Sequence, residues 1–290
     1  MKIQYSDQKK IFNVHTEQIP YLSVAMLDAL GVPNLYSTRF RSFDNQSGEG
    51  ETGLRVVVMK HEEEAEAAPV VFKNRDALAR QLGSSIEHES VTDQKHTNHV
   101  YVVTEQDLGP ILRSEKPLHR RCIDGLVTDL PDVLLTAFGG DCPPIYLADP
   151  KRGAIGLVHA GWRSTLGKIP AKAIERMAVQ FGSDPRDLYA AIGPGICTDC
   201  YEMGDEVYEQ FSEQWGSAAA DAILCRYPGG KYHLDLRTAN HMTLLEAGVS
   251  EERIAVSNVC TMCNADIFYS YRAHRMENEQ VAMIVNRFGA

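Results

Sequence analysis

The chain has 290 residues, 44% of them hydrophobic and 23% charged, with 22 Gly and 13 Pro. That is about twice the usual domain length, and enough to bury a core without disulfides or metals. The net charge of −10 excludes a general binder of duplex DNA or RNA, which needs a basic stripe to displace counterions. No run of about 18 apolar residues occurs, and Met1-Lys2-Ile3-Gln4-Tyr5 lacks a hydrophobic signal core, so neither a membrane span nor export is expected. The seven Cys are an odd number crowded between Cys122 and Cys263. They read as reduced thiols of a cytoplasmic protein, where Cys serves metals or catalysis more often than cross-links.

The first fifty residues are mixed and end in the loop-like stretch Ser42 to Gly50. Leu54 to Met59 reads as a strand, and the acidic run His61 to Glu66 as a solvated loop or helix face. Arg75 to Leu82 has helical spacing, with Gly83 placed to end it. From residue 98 the pattern becomes strand-rich: His99 to Val103, Gly125 to Thr128, Val133 to Ala137, Ile145 to Ala148 and Ala154 to His159 are short, apolar and bounded by Gly, Pro or Asp. A helix follows, with Ile174, Met177, Ala178 and Phe181 at i, i+3, i+4 and i+7. Leu188 to Ile192 is a strand, and Asp205 to Gln214 and Leu236 to Ala247 are helices, the second stopped by Gly248. Arg253 to Val256 and Gln280 to Val285 close the chain as strands. Successive strands without intervening helices favour an α+β fold with mixed sheets over a doubly wound parallel one. With no linker, repeat or low-complexity segment, a single domain spanning 1–290 is expected.

The densest stretch of chemistry-bearing residues runs from Gly139-Gly140-Asp141-Cys142-Pro143-Pro144 through a strand to His159-Ala160-Gly161-Trp162-Arg163. Cys142 and His159 lie at strand ends beside Gly, where turns expose side chains and admit a ligand close to the backbone. Thiolate sulfur and imidazole nitrogen are preferred zinc ligands. Read singly, a Cys or His is more often a buried thiol or a hydrogen-bonded core imidazole; the pair, flanked by Asp141 and Arg163, points to a site.

At this point the chain resembles the YfiH/YlmD family, also called the laccase-domain or "polyphenol oxidase" family, which includes purine nucleoside phosphorylases. Tyr36-Ser37-Thr38-Arg39, Asn74-Arg75 with Leu82-Gly83, Gln94-Lys95-His96, Asp124 to Thr128, and Asp141-Cys142 with Pro144 follow its pattern in order. His159-Ala160-Gly161-Trp162-Arg163 is the most specific match; Gly193 to Ile196, Tyr201 to Gly204, Cys260-Thr261 and Tyr269 to Arg272 complete it, covering residue 34 to the end. The sequence departs from the family at Phe40-Arg41, where Gly-Gly is usual, and at Ala273 to Glu277, which lacks a usual Gly-Arg.

The resemblance implies a four-layer α/β/β/α sandwich and one zinc per chain, with copper as the alternative, held by His96, Cys142 and His159. Spacing alone does not select His96 over His99. Three protein ligands leave a fourth position open, as in catalytic zinc sites, for water or substrate. Asp141, Cys142, His159 and Arg163 are the candidate catalytic residues, with Asp141 as a base or as the group orienting a ligand. Arg39, Asn74, Arg163 and Arg272 are the candidate substrate-binding residues, the guanidinium groups being suited to phosphate or ribose oxygens. The implied activity is phosphorolysis of adenosine, inosine, guanosine or methylthioadenosine, with adenosine deamination as a further activity. The partners are then a small nucleoside and phosphate.

Cys197-Thr198-Asp199-Cys200 and Cys260-Thr261-Met262-Cys263 have zinc-ribbon spacing within each pair, but 59 residues separate the pairs. The four are expected as neighbouring thiols near the pocket rather than a joint metal site. His61-Glu62-Glu63 begins a zinc deaminase signature whose Pro-Cys-x-x-Cys half is absent, Ile196 and Val259 standing at the Pro positions. Gly161 to Lys168 fails as a P-loop, with Ile169 in place of Ser or Thr. None of the ten His forms the His-x-His pairs of multicopper oxidases, which leaves copper-dependent phenol oxidation a secondary reading. A metal-independent hydrolase or amidase using Cys142 as nucleophile and His159 as base, and a non-catalytic metal or nucleotide binder, are the remaining alternatives.

Overall fold

Alternation of side chains along the strands sets the architecture. The structure, a computed structural model, describes residues 1–40, 54–57, 63–227, 229–275 and 278–289. Its strands in chain order are β1 (Phe12–His15), β2 (Tyr21–Val24), β3 (Asn34–Ser37), β4 (Glu89–Val91), β5 (Val100–Val102), β6 (Gly125–Thr128), β7 (Leu134–Gly139) and β8 (Pro144–Asp149). They continue as β9 (Ala154–His159), β10 (Tyr189–Ile192), β11 (Glu202–Met203), β12 (Leu224–Arg226), β13 (Tyr232–Leu234), β14 (Ile254–Val256) and β15 (Gln280–Val285). The helices are α1 (Ala25–Ala29), α2 (Glu64–Gln81), α3 (Trp162–Leu166), α4 (Ile169–Phe181), α5 (Asp205–Trp215), α6 (Ser217–Ile223), α7 (Leu236–Glu246) and α8 (Tyr271–His274).

One six-stranded sheet has the order β1-β2-β3-β15-β7-β4, the other β14-β10-β8-β9-β6-β5. Each is antiparallel within and carries parallel edge pairs: β4 on β7, β14 on β10 and β5 on β6. In β15, Ala282 and Ile284 face the second sheet, while Val281, Met283 and Val285 face Leu78 and Leu82 at the end of α2. In β8 and β9, Tyr146, Ala148, Ile155 and Leu157 return that contact; Ile145, Leu147 and Val158 point the other way, onto Ile174 and Met177 of α4 and Leu244 of α7. Three apolar cores therefore lie on the faces of the two sheets, in the mixed α+β arrangement expected. A small sheet, β11-β13-β12, packs with α5 and α6 around Phe211 and Leu234 beside the second sheet.

From residue 98 onward the strands expected from the sequence and the helices α5 and α7 fall within a residue or two of their expected bounds, and α4 begins five residues before Ile174. By contrast, α3, β11, α6, β12, β13 and α8 have no counterpart in the sequence reading. The upstream part differs. Residues 54–57 are not a strand: Leu54 N–H donates to the Arg39 carbonyl (2.7 Å), the Leu54 and Arg55 carbonyls accept from the side chains of Tyr269 (3.1 Å) and Asn74 (2.7 Å) rather than from a strand partner, and Leu54 and Val56 bury against α2. Val58 and Met59, the loop stretch Ser42 to Gly50, and His61-Glu62 lie outside the described residues. The rest of the acidic run opens α2, with Glu64 and Glu66 in its first turn, where carboxylates suit the helix dipole. The helix is thus a good ten residues longer than its apolar spacing indicated, and Gly83 ends it with φ +71°.

Candidate active site

One carboxylate organises the site. Asp124, fully buried just before β6, accepts hydrogen bonds from the backbone N–H groups of Lys95 (3.0 Å), His96 (3.0 Å) and Thr97 (2.8 Å) and from the Thr97 hydroxyl (2.9 Å). The same carboxylate meets His159 Nδ1 at 2.9 Å, and its backbone carbonyl accepts the His159 N–H. Burial raises its pKa, but the hydrogen bond and charge of His159 and the loop N–H donors outweigh it and hold the carboxyl down at about 2. His96 is thereby held in the left-handed region, φ 59°, which a non-glycine residue rarely adopts.

Cys142 joins the two histidines because β8 pairs with β9. Pro144 lies opposite His159 in the register, and Ala160 N–H donates to the Pro143 carbonyl (3.0 Å), so the turn before β8 brings the thiol to the end of β9. Cys142 Sγ is 4.0 Å from His96 Nε2, the His96 and His159 rings meet edge to face at 4.9 Å, and the ligand atoms of all three residues lie within 4.8 Å of one another. Since Asp124 occupies Nδ1 of His159, its Nε2 is the nitrogen left for the cluster. Gly161 closes the group: a Cβ there would sit 2.6 Å from His96 Cδ2 and 3.0 Å from Cys142 Sγ. Burial disfavours charge on both Cys142 and His159. Their mutual attraction, with Asp124 behind the ring, outweighs it: the thiol pKa is lowered and the imidazole pKa raised.

His96 and His159 form part of the wall of a cavity of about 420 Å³, which also exposes Phe72, Arg75, Lys116 and Phe138. Arg75 pairs with the buried Glu89 at 2.9 Å and lies near both phenyl rings. Lys116 Nζ donates to the carbonyls of Val91 (2.8 Å) and Thr92 (2.9 Å), and burial pushes its pKa down to about 8. A lysine ammonium has a third N–H left for the cavity.

The other predicted residues are placed as follows. Asp141 is buried and its carboxylate is already held by Thr261 Oγ1 (2.7 Å), Ser270 Oγ (2.8 Å) and Arg272 N–H (2.7 Å). Burial nonetheless leaves its pKa raised. It fixes the loops beneath Cys142, and Asp124, not Asp141, is the carboxylate on a cluster ligand. Arg163 is exposed over the Trp162 ring (4.1 Å) and makes no ion pair among the described residues. The Arg272 guanidinium donates to the Glu202 carbonyl (2.9 Å) and covers the buried Tyr201 ring (5.1 Å). Arg39 donates to the Ala265 carbonyl (2.9 Å) near the Tyr269 ring, and Asn74 donates to the Arg55 carbonyl (2.7 Å); neither lines the cavity. His99 stays out of the cluster, its carbonyl accepting the N–H groups of Asp124 and Gly125. Sequence reasoning missed Lys116 and the roles of Asp124 and Arg75. The two carboxylate and guanidinium residues stand inside matched motifs, whereas nothing local marks Lys116.

The family model described as "Multi-copper polyphenol oxidoreductase laccase" matches residues 59–287. Purine nucleoside phosphorylase YlmD of Bacillus subtilis is 33% identical over 221 residues, 76% of each chain. Adenosine deaminase RL5, from an unknown prokaryotic organism, is 36% identical over 203 residues, 70% of this chain and 76% of that protein. Among solved structures, Bacillus licheniformis YfiH superposes with a TM-score of 0.80 at 26% identity, and YlmD of Geobacillus stearothermophilus with 0.79 at 28%, each over 96% of this chain and 99% of the other. No described helix is long and apolar enough to cross a membrane. With its matched span, its mixed sheets and its His-Cys-His cluster in register with one another, the chain belongs to the laccase-like YfiH/YlmD family.

Proposed function

We propose that the chain is a zinc-dependent purine nucleoside phosphorylase, acting on adenosine, inosine or guanosine, with adenosine deamination and methylthioadenosine cleavage as further activities of the same site. The observation that carries the reading is a cluster of two imidazoles and one thiol whose imidazoles line a cavity of nucleoside size, with Arg75 and Lys116 on the same wall. The names of the relatives supply the two reaction classes. The donor set fits zinc: three N and S ligands, an anchored second nitrogen on His159, and a position left open.

When bound, such a metal supplies charge stabilisation for a departing purine or an activated water for deamination. His96, Cys142 and His159 would hold it. The chain's other residues bind and orient. Phe72 and Phe138 offer apolar faces for a purine, and Arg75 and Lys116 put two cations where a phosphate could be held near the sugar. Arg163, with its guanidinium unpaired among the described residues, is a further phosphate or ribose ligand. Asp124 keeps the His159 ring turned to the cluster, and Asp141 keeps the Cys142 turn in place through Thr261, Ser270 and Arg272. The seven free thiols suit a reducing cytoplasm.

The test combines metal analysis with product chromatography. Adenosine plus phosphate should yield adenine and ribose 1-phosphate, and His159→Ala should lose the cluster's metal and fall at least 100-fold in turnover while keeping its circular dichroism. Inosine as sole product assigns deamination instead. Full turnover by metal-free protein overturns the proposal and makes Cys142 a nucleophile with the neutral His159 imidazole as its base. Copper-dependent oxidation of phenols without nucleoside turnover would favour a laccase activity instead.

A further inference from the structure

A second group of ligand atoms lies outside this site. Cys197 and Cys200 sit in the turn that follows β10, Cys260 and Cys263 in the turn that follows β14. These strands are parallel neighbours, with Ala190 opposite Ile254 and Ile192 opposite Val256, so both turns leave the same sheet end although 59 residues separate the pairs in sequence. Gly195 and Val259 lace the turns together: Gly195 N–H donates to the Val259 carbonyl (3.4 Å), and Arg237 of α7 donates to both carbonyls (3.0 and 2.7 Å).

The four sulfurs lie within 4.8 Å of one another, Cys200 Sγ 3.6 Å and Cys197 Sγ 4.0 Å from Cys263 Sγ. A disulfide needs about 2.05 Å. A tetrahedral zinc tetrathiolate with bonds of about 2.3 Å sets its sulfurs about 3.8 Å apart, which the two distances to Cys263 Sγ bracket. Each pair closes on itself as a tight turn, with Cys200 N–H on the Cys197 carbonyl (3.1 Å) and Asn264 N–H on the Cys260 carbonyl (3.2 Å). Cys260 Sγ also accepts the N–H groups of Cys197 (3.2 Å) and Cys263 (3.4 Å), the donors that steady a sulfur ligand from behind.

We propose that Cys197, Cys200, Cys260 and Cys263 form a structural zinc site, separate from the His96-Cys142-His159 cluster. Four sulfurs close the coordination sphere, so the ion does no chemistry. It clamps two turns whose next residues support the candidate active site: Tyr201, under the Arg272 guanidinium, and Thr261, on the Asp141 carboxylate. Length of separation argued against the pairing in sequence; adjacency of β10 and β14 overrides that argument.

The experiment uses the full chain with Cys142→Ser, which removes one ligand of the other cluster and leaves the four cysteines intact. Reconstituted with Co(II) alone as the probe, this variant should bind one ion per chain with the strong sulfur-to-cobalt charge transfer and visible bands of a tetrahedral tetrathiolate. Zn(II) should displace it and bleach the spectrum. Adding Cys200→Ser and Cys263→Ser should abolish that spectrum. If the triple variant does not fold, alkylation of the Cys142→Ser chain replaces it: zinc should slow modification of these four thiols at least tenfold, and a chelator should restore it. Absence of the tetrathiolate spectrum from Cys142→Ser, or a native mass showing disulfides among the four, overturns the proposal.

Discussion

At the residue scale the site is governed by contacts that leave no room for adjustment. Gly161 has φ −69°, which any residue can adopt, so its role is purely one of space. Gly161→Ala would drive a methyl against His96 and Cys142 without straining the backbone. It should weaken metal binding about 10–100-fold, with little change in the unfolding midpoint, as read by competition with a chromophoric chelator. Lys116 gives a pH signature. Its folded pKa of about 8 lies below the ordinary 10.5, so between these values the unfolded chain binds more protons than the folded one. The cost of burying its ammonium is fully present below pH 8 and disappears as pH rises toward 10.5. From pH 7.5 to 9.5, wild type should therefore gain about 2 kcal/mol relative to Lys116→Met in urea unfolding. A pH-independent difference would remove the buried charge from the account.

At the scale of elements, strand register decides which residues meet. Gly125 of β6 lies opposite Val158 of β9, one residue before His159, and beside Val100 of β5. A Cβ there would stand 2.7 Å from Val158 Cγ1 and 2.9 Å from Val100 Cγ2. Gly125→Val should wedge β9 from β6, costing about 1–3 kcal/mol of stability and weakening metal binding as His159 leaves Asp124. Urea unfolding and zinc titration of the variant check both. The strands from β5 to β10 were legible because each is a short apolar run with turn residues on both sides. β1 to β4 were not: they are three or four residues long, and buried polar groups such as Ser23, Asn34, Glu89 and Ser90 interrupt their apolar character. Residues 54–57 show the converse error. Their apolar run is buried beneath α2 as irregular chain, and burial without a pairing partner reads the same as a strand.

For the whole molecule, the sequence by itself determined the mixed class of the fold, most elements beyond residue 98, and the few residues with metal chemistry, because periodicity and residue type are local properties. It also put His96, Cys142 and His159 forward together, through matched motifs rather than spacing; spacing left His99 equally open. Only the tertiary structure decided what those residues touch. Asp124 became the organiser of two cluster members because β6 lies between β5 and β9, while Asp141, nearer in sequence to Cys142, had its carboxylate taken by Thr261, Ser270 and Arg272. Lys116 and Arg75 reached the cavity from separate segments packed against β4, and four cysteines met because β10 and β14 run side by side. These are contacts between residues tens of positions apart. They are set by which strands become neighbours as the sheets bury their two faces, and no local pattern in the chain encodes that choice.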